Sequence, residues 1–342
     1  MTTTTETAGL AFPRFERALA VGDAGEGVGV VDELLDRGVE PTVLLLDVIS
    51  EAQRRIGERW QRGEWSVAQE HIATGVSVAA TEAIARWVRR LPVTRGRIVV
   101  GCAEREWHSL PALVIATGLR ERGWNVAYLG ACTPASRLSA YLHDAGPDAV
   151  AVSCSVAWAL PGTRQFVEAG TSAGIPVIAG GIALGADDTR ARALGATAWA
   201  PGLREAADVV ETLPAVVEPA RPLGAEELAE QRGLELNHRT LVETLRRRWR
   251  PQDTFTEGTP EHSDIAVVVG DCAEQSLCAL QGALLTGDGR LLGDTATWVR
   301  SVLSARRVPE ARVTALATEL GLLLRDYPRA AALLRAHWPG AA

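Results

Sequence analysis

The chain has 342 residues, 47% of them hydrophobic and 23% charged, with a net charge of −7. That balance describes globular domains and argues against a surface that binds nucleic acid as a whole; five cysteines argue against a disulfide scaffold and fit a reducing cytoplasm. No uninterrupted apolar run reaches the length of a bilayer span, so no membrane association is expected.

Met1–Gly9 is polar, shows no targeting pattern and reads as a disordered tail. Residues 10–91 read as a four-helix unit. "VVDELLDRG" makes a helix that stops near Gly38, and "EPTVLLLDVISEAQRRIGERW" makes another with Pro41 in its first turn. Gly63 interrupts the pattern. Ser66 and Gln69 have capping-box spacing, which predicts a new helix from Ser66 to the Arg89–Pro92 region.

From residue 96 to 218 the period changes. "GRIVVGCAE", "NVAYLGA", "PDAVAVSCS", "IPVIAGGIA" and "ATAWAP" read as short apolar strands with helices between them. That alternation predicts a Rossmann-like, flavodoxin-like parallel sheet covered on both faces, with ligands beyond the carboxyl ends of its strands. Residues 224–338 read as all-helical, with a flaw at Gly233 and a polar link over "RPQDTFTEGTPEHSD". "ALAVGD" at Ala18 and "ALLTGD" at Ala283 rhyme, as a duplication or as convergent composition.

The chemistry sits in the strand-end loops. After the first strand comes Glu106-Trp107-His108-Ser109-Leu110-Pro111. A histidine there can give one ring nitrogen to a metal while a carboxylate takes the other ring proton; the plainer reading is a polar loop. Ser153 and Ser155, after the third strand, offer hydroxyls to a ligand or to the next helix as caps. Gly180 and Gly181, after the fourth, permit a close approach to the backbone. The sequence lacks GxGxxG after the first strand and lacks GxxxxGK[ST], so dinucleotide and P-loop readings lose ground.

Together these three features resemble the cobalamin-binding domain of the methionine-synthase type, with its Asp-x-His-x-x-Gly, Ser-x-Leu/Thr and Gly-Gly motifs. Here Glu106 stands for the Asp, Pro111 for the loop Gly, and Ser155 for the Leu or Thr. The resemblance implies that His108 is the lower axial ligand to cobalt, within a loop of Glu106, Trp107 and Ser109. It also implies that the dimethylbenzimidazole tail enters the sheet domain, with Ser153 and Ser155 lining its slot and Gly180 and Gly181 giving it room.

The preceding bundle then looks like a cap over the upper corrin face. Trp60 followed by Glu70-His71 resembles the B12 photoreceptor branch of light-sensing transcription regulators. That resemblance covers roughly residues 10–217. It implies that Trp60 covers the 5'-deoxyadenosyl group, that Glu70 and His71 lie near it, and that His71 can take the upper cobalt position once light removes the adenosyl. Without that resemblance, Trp60 and Trp65 read as ordinary aromatics and His71 as a helix histidine.

Such regulators usually carry a DNA-binding helix-turn-helix before the cap. Here the cap starts almost at Met1, so direct DNA binding is not expected. Output is expected from residues 224–338, through a homo-oligomer or a downstream signalling protein. The whole arrangement also resembles the B12/bilin photoreceptors called photocobilins, which implies biliverdin as a second cofactor. Arg246, Arg247, Arg248 and Arg250 are candidates for its propionates, and His238, His262, Cys272 and Cys278 are further candidates, although no bilin motif maps residue by residue. The spacing of Cys272 and Cys278 does not suit zinc. The leading expectation is a non-enzymatic light sensor using adenosylcobalamin. The rival is a corrinoid carrier for methyl transfer.

Overall fold

The first helix begins at Thr4 rather than Leu10. The computed structural model describes residues 4–255 and 260–340, and in it α1 runs Thr4–Val21. The expected disordered tail is therefore corrected over residues 4–9. Phe12, Phe15, Ala18 and Leu19 bury one stripe of α1, and the helix propagates back from that anchored stripe. α2 (Ala24–Asp36) is capped by Asp23, whose side chain accepts from Glu26 N. The third rod runs as α3 (Pro41–Val43), a π-helical stretch (Leu44–Ser50) and α4 (Glu51–Gln61), with Pro41 in its first turn. α5 (Val67–Val88) makes both halves of the capping box at Ser66 and Gln69. A Cβ on Gly27 would lie 2.6 Å from Val76 Cγ1, so glycine lets α2 close on α5.

The sheet domain contains β1 (Arg97–Ala103), α6 (Ser109–Glu121), β2 (Asn125–Thr133), α7 (Ala135–Ala145), β3 (Ala149–Ser153), α8 (Leu160–Ser172), β4 (Val177–Gly180), α9 (Thr189–Ala193), β5 (Ala198–Ala200) and α10 (Leu203–Val209). The five strands are parallel in the order β2-β1-β3-β4-β5. This is the flavodoxin-like order, which switches direction between β1 and β3 and so opens a crevice at their carboxyl ends.

The two faces of the sheet differ. One packs Val99, Val150, Val152 and Val177 against Leu138 and Phe166. The other is rich in alanine, with Ala149, Ala151 and Ala200 facing Ala112, Ala116 and Ala206. By strand alternation Ser153 and Gly180 fall on the alanine face. The cap has its own core, which also takes in Leu110, Leu113 and Val114 of α6 and Leu203 of α10.

The remaining helices are α11 (Ala225–Leu236), α12 (His238–Arg248), α13 (Pro260–Thr286), α14 (Arg290–Ala305), α15 (Glu310–Leu323) and α16 (Pro328–His337). The break falls at Asn237, not at Gly233 as expected. Gly233 stays helical, and a Cβ there would stand 3.0 Å from Tyr327 Cε1, so glycine lets that ring approach. Part of the expected polar link is helical, since α13 begins at Pro260, and proline suits a first turn. The rhyming segments are helix stops: Gly22 and Gly287 both have positive φ, and Asp23 and Asp288 accept from the next helix's backbone.

This module does not keep a separate core. One cluster of buried residues runs from Val99 and Phe166 through Leu280 to Trp338. A buried ion network reinforces that union: Arg190 pairs with Asp288 at 2.9 Å, both almost fully buried, and donates to Ala183 O at 3.1 Å. Among the described residues no helix is long and apolar enough to cross a membrane.

Candidate functional site

The site grows out of the end of β1. Arg105 there takes a φ of 70°, a left-handed turn that costs a non-glycine residue energy. Its carbonyl accepts from Trp158 Nε1 at 3.0 Å, and its side chain pairs with Glu235 of α11 at 3.5 Å. The turn delivers Glu106 inward, where it is fully buried, and leaves His108 half-exposed at the start of α6.

Glu106 joins the two loops of the switch point. Its Oε1 accepts from His108 Nδ1 at 2.8 Å and from His108 N at 2.9 Å. Its Oε2 accepts from the backbone of Ser155 at 2.6 Å and Val156 at 3.2 Å. A carboxylate surrounded by N–H donors holds the Nδ1–H tautomer and leaves the Nε2 lone pair for a metal. Among the described residues Nε2 makes no hydrogen bond. The Glu106 hydrogen bond raises the ring's affinity for a proton above the ordinary imidazole value; burial opposes this, and the charges of Glu106 and Glu70 add to it.

Each departure from the motif has a defined place in the fold. The extra methylene of Glu106 accompanies its reach to both loops. Pro111 lies in the first turn of α6, where its missing N–H would have no helical partner anyway. Ser155 contributes its backbone N–H, and neither Ser153 nor Ser155 caps the following helices with its side chain.

Gly180 and Gly181 admit backbone. A Cβ on Gly180 would lie 2.5 Å from Ala200 O, and one on Gly181, at φ 108°, would lie 2.3 Å from Cys154 O. Two residues beyond strand ends expose large apolar surfaces: Trp107 is 69% exposed and Ile182 is 84% exposed. Ser109 begins α6, and its carbonyl accepts from Tyr128 Oη at 3.0 Å. Sequence reasoning missed Trp158, whose ring lies 6.5 Å from that of His108, and it missed Tyr128. Only the final fold brings either to the loop.

In the cap, Glu70 lies in the first turn of α5. His71 is 73% exposed, with Nε2 3.6 Å from Glu70 Oε2. Trp60 is elsewhere engaged, stacked on Trp298 of α14 at 6.0 Å. Trp65 lies under the Arg59 guanidinium at 4.9 Å and packs on the cap core. Among the described residues no hydrogen bond or ring contact joins Trp60 or His71 to His108.

In the carboxy-terminal module Arg246, Arg247, Arg248 and Arg250 are all exposed. Cys272 and Cys278 are buried, and burial pushes both thiols up, Cys278 to about 12, so neither is an activated nucleophile. His238 contacts Gln281 at 3.1 Å. The His262 side chain lies outside the described residues. Among the described residues no three His, Cys, Asp or Glu side chains gather as a metal site. A metal held by a macrocycle needs only one protein ligand, and His108 is prepared for that. The residues fit a corrinoid on three further counts: exposed apolar surface beside the histidine, unbonded serine hydroxyls, and an alanine-rich face below them.

Residues 96–210 match a family model described as a B12 binding domain, and residues 12–84 match a second model of that description. The HTH-type transcriptional repressor CarH of Myxococcus xanthus is 32% identical over 125 residues, which make up 36% of this chain and 40% of that protein. The chain therefore spans less than half the length of that relative. The monomethylamine corrinoid protein of Methanosarcina barkeri shares the fold with a TM-score of 0.54 and 17% identity, over 60% of this chain and 99% of that one. The methanol:cobalamin methyltransferase complex MtaBC of the same organism gives a TM-score of 0.32 and 19% identity, over 60% of this chain and 83% of that one.

Proposed function

We propose that this protein, a cobalamin-binding protein with B12-binding domains, is a light sensor that carries adenosylcobalamin between its helical cap and its sheet domain. The observation that carries cobalamin binding is the Glu106–His108 pair at the switch point, 2.8 Å apart. Trp60 and Glu70-His71 on that cap follow the pattern of the light-sensing branch. Similarity to a transcriptional repressor supports a regulatory role.

When bound, the cofactor supplies a cobalt–carbon bond that light breaks. The chain's residues supply the rest. His108, oriented by Glu106, would hold the cobalt through Nε2. The serines and the alanine face would receive the nucleotide tail. Trp60, held against Trp298, would cover the adenosyl group, and His71 would be the cap's candidate to replace it. The cap and sheet domain then change their separation, a two-state movement that alters a surface. The output is a change in self-association or in binding of a signalling protein, in a reducing cytoplasm. Neither the comparisons nor the exposed arginines support biliverdin, and it forms no part of this proposal.

The fold alone suits the rival equally, because a corrinoid protein has the same cap and sheet. The cobalt–carbon bond is light-labile in either case, so cofactor preference and the protein's response separate the two readings. Protein reconstituted with adenosylcobalamin is expected to prefer adenosyl- over methylcobalamin and to change its self-association after green light. Unchanged self-association after photolysis, with methyl transfer to a partner methyltransferase, would establish the carrier instead.

A further inference from the structure

The cap meets the carboxy-terminal module where α4 ends against α14. Trp60 stacks on Trp298 with centroids 6.0 Å apart and planes 20° from parallel. The Arg306 guanidinium lies 5.6 Å from the Trp60 ring centroid. It also donates to Trp60 O at 3.2 Å and Gln61 O at 3.3 Å. Those carbonyls lie in the last turn of α4, where a cation is favoured by the helix dipole. Gln61 Nε2 donates to Ser301 Oγ at 2.9 Å, and Gly63, at φ 70°, turns the chain away beside Arg306.

The module's attachment to the sheet domain is of another kind. There it shares a continuous apolar core and the buried Arg190–Asp288 pair, whereas the cap keeps a core that contains no residue of this module. The cap shares its core with the sheet domain through Leu110, Leu113, Val114 and Leu203, so the small polar and aromatic contact at Trp60 is its joint to the carboxy-terminal module. The joint holds the tryptophan proposed to cover the upper face.

We infer that Trp298 and Arg306 are positioning residues for Trp60, so that the upper-face cover is assembled from two modules and the carboxy-terminal module senses whether the adenosyl group is present. This rests on the reading of Trp60 as the adenosyl cover. It gives residues 224–338 a direct route to the cofactor's state, with α14 as the element that responds.

The test uses the full chain and two probes, adenosylcobalamin and hydroxocobalamin, which lacks the adenosyl group. Trp298→Ala and Arg306→Gln are each expected to weaken adenosylcobalamin binding about fivefold, the scale of one lost aromatic or cation–π contact, and to leave hydroxocobalamin affinity unchanged. Trp298→Phe is expected to restore most of the loss. In cofactor-free protein, hydrogen exchange over residues 59–66 is expected to rise several-fold in Trp298→Ala and Arg306→Gln, with β1, β3 and α13 still protected. Equal weakening toward both cobalamins, or no change toward either, overturns the inference. If Trp298→Ala loses protection in β1 it has unfolded, and the half-exposed Arg306 decides the matter alone. Wild-type self-association that ignores green light removes the light sensor, while the difference between the two cobalamins still decides this joint.

Discussion

Glu106 holds His108 Nδ1 with one carboxylate oxygen at 2.8 Å and the backbone of Ser155 with the other at 2.6 Å. One buried side chain thus fastens the loop after β1 to the loop after β3. Glu106→Gln keeps the shape but turns an amide NH₂ toward N–H donors on one side. It is expected to cost about 1–3 kcal/mol, the price of an unsatisfied buried polar group. Thermal melting of the cofactor-free protein checks this, and an unchanged midpoint would show that the carboxylate does not hold the loops together.

His108→Ala is expected to remove the axial nitrogen and to leave measurable cobalamin binding, because the macrocycle and its tail keep most of their contact surface. Paramagnetic resonance of the cobalt(II) form reads the nitrogen directly. The same nitrogen splitting in wild type and variant would reject His108 as the ligand.

The strand-end loops were legible because their signals are local: a strand, then Glu-x-His, lies within a dozen residues. The second half of Glu106's role was not, since Ser155 and Val156 offer main-chain N–H groups 49 and 50 residues away. Gly180 and Gly181 were expected to give a nucleotide tail room, and the folded sheet shows that backbone oxygens of Ala200 and Cys154 stand where their Cβ atoms would be. Gly233 invited a break by propensity, yet it lies inside α11 against Tyr327 and the chain turns at Asn237. Trp60 was marked for the cofactor, and its partner Trp298 could not be read from any local pattern.

His71→Ala is expected to leave dark binding of adenosylcobalamin within about twofold of wild type, as for an exposed side chain outside the resting contacts. The illuminated spectrum is expected to shift through loss of an imidazole at the upper position. Superimposable illuminated spectra would take His71 out of the switch.

The Arg190–Asp288 pair predicts an acid-sensitive union of sheet domain and carboxy-terminal module. Burial pushes the Asp288 carboxyl up, but hydrogen bonds from Arg290 and the charge of Arg190 outweigh it, so its proton affinity is lowered. A carboxylate lowered in the folded state stabilises above the unfolded value of about 3.9, and that stabilisation is lost as pH falls through the folded value. Asp288→Asn is expected to cost about 3 kcal/mol at neutral pH by leaving Arg190 short of a partner, and to flatten the fall in stability below about pH 4. Denaturant melts from neutral pH to pH 3 test it; parallel curves for wild type and variant would contradict it.

Loss of the adenosyl group is proposed to move the cap. Hydrogen exchange over residues 60–71, compared in adenosylcobalamin-loaded protein in the dark and after green light, tests it most directly. Faster exchange in that segment is expected after illumination, with β1, β3 and β4 unchanged. Identical exchange in the two states, in a sample whose spectrum shows that the cobalt–carbon bond has broken, would contradict it.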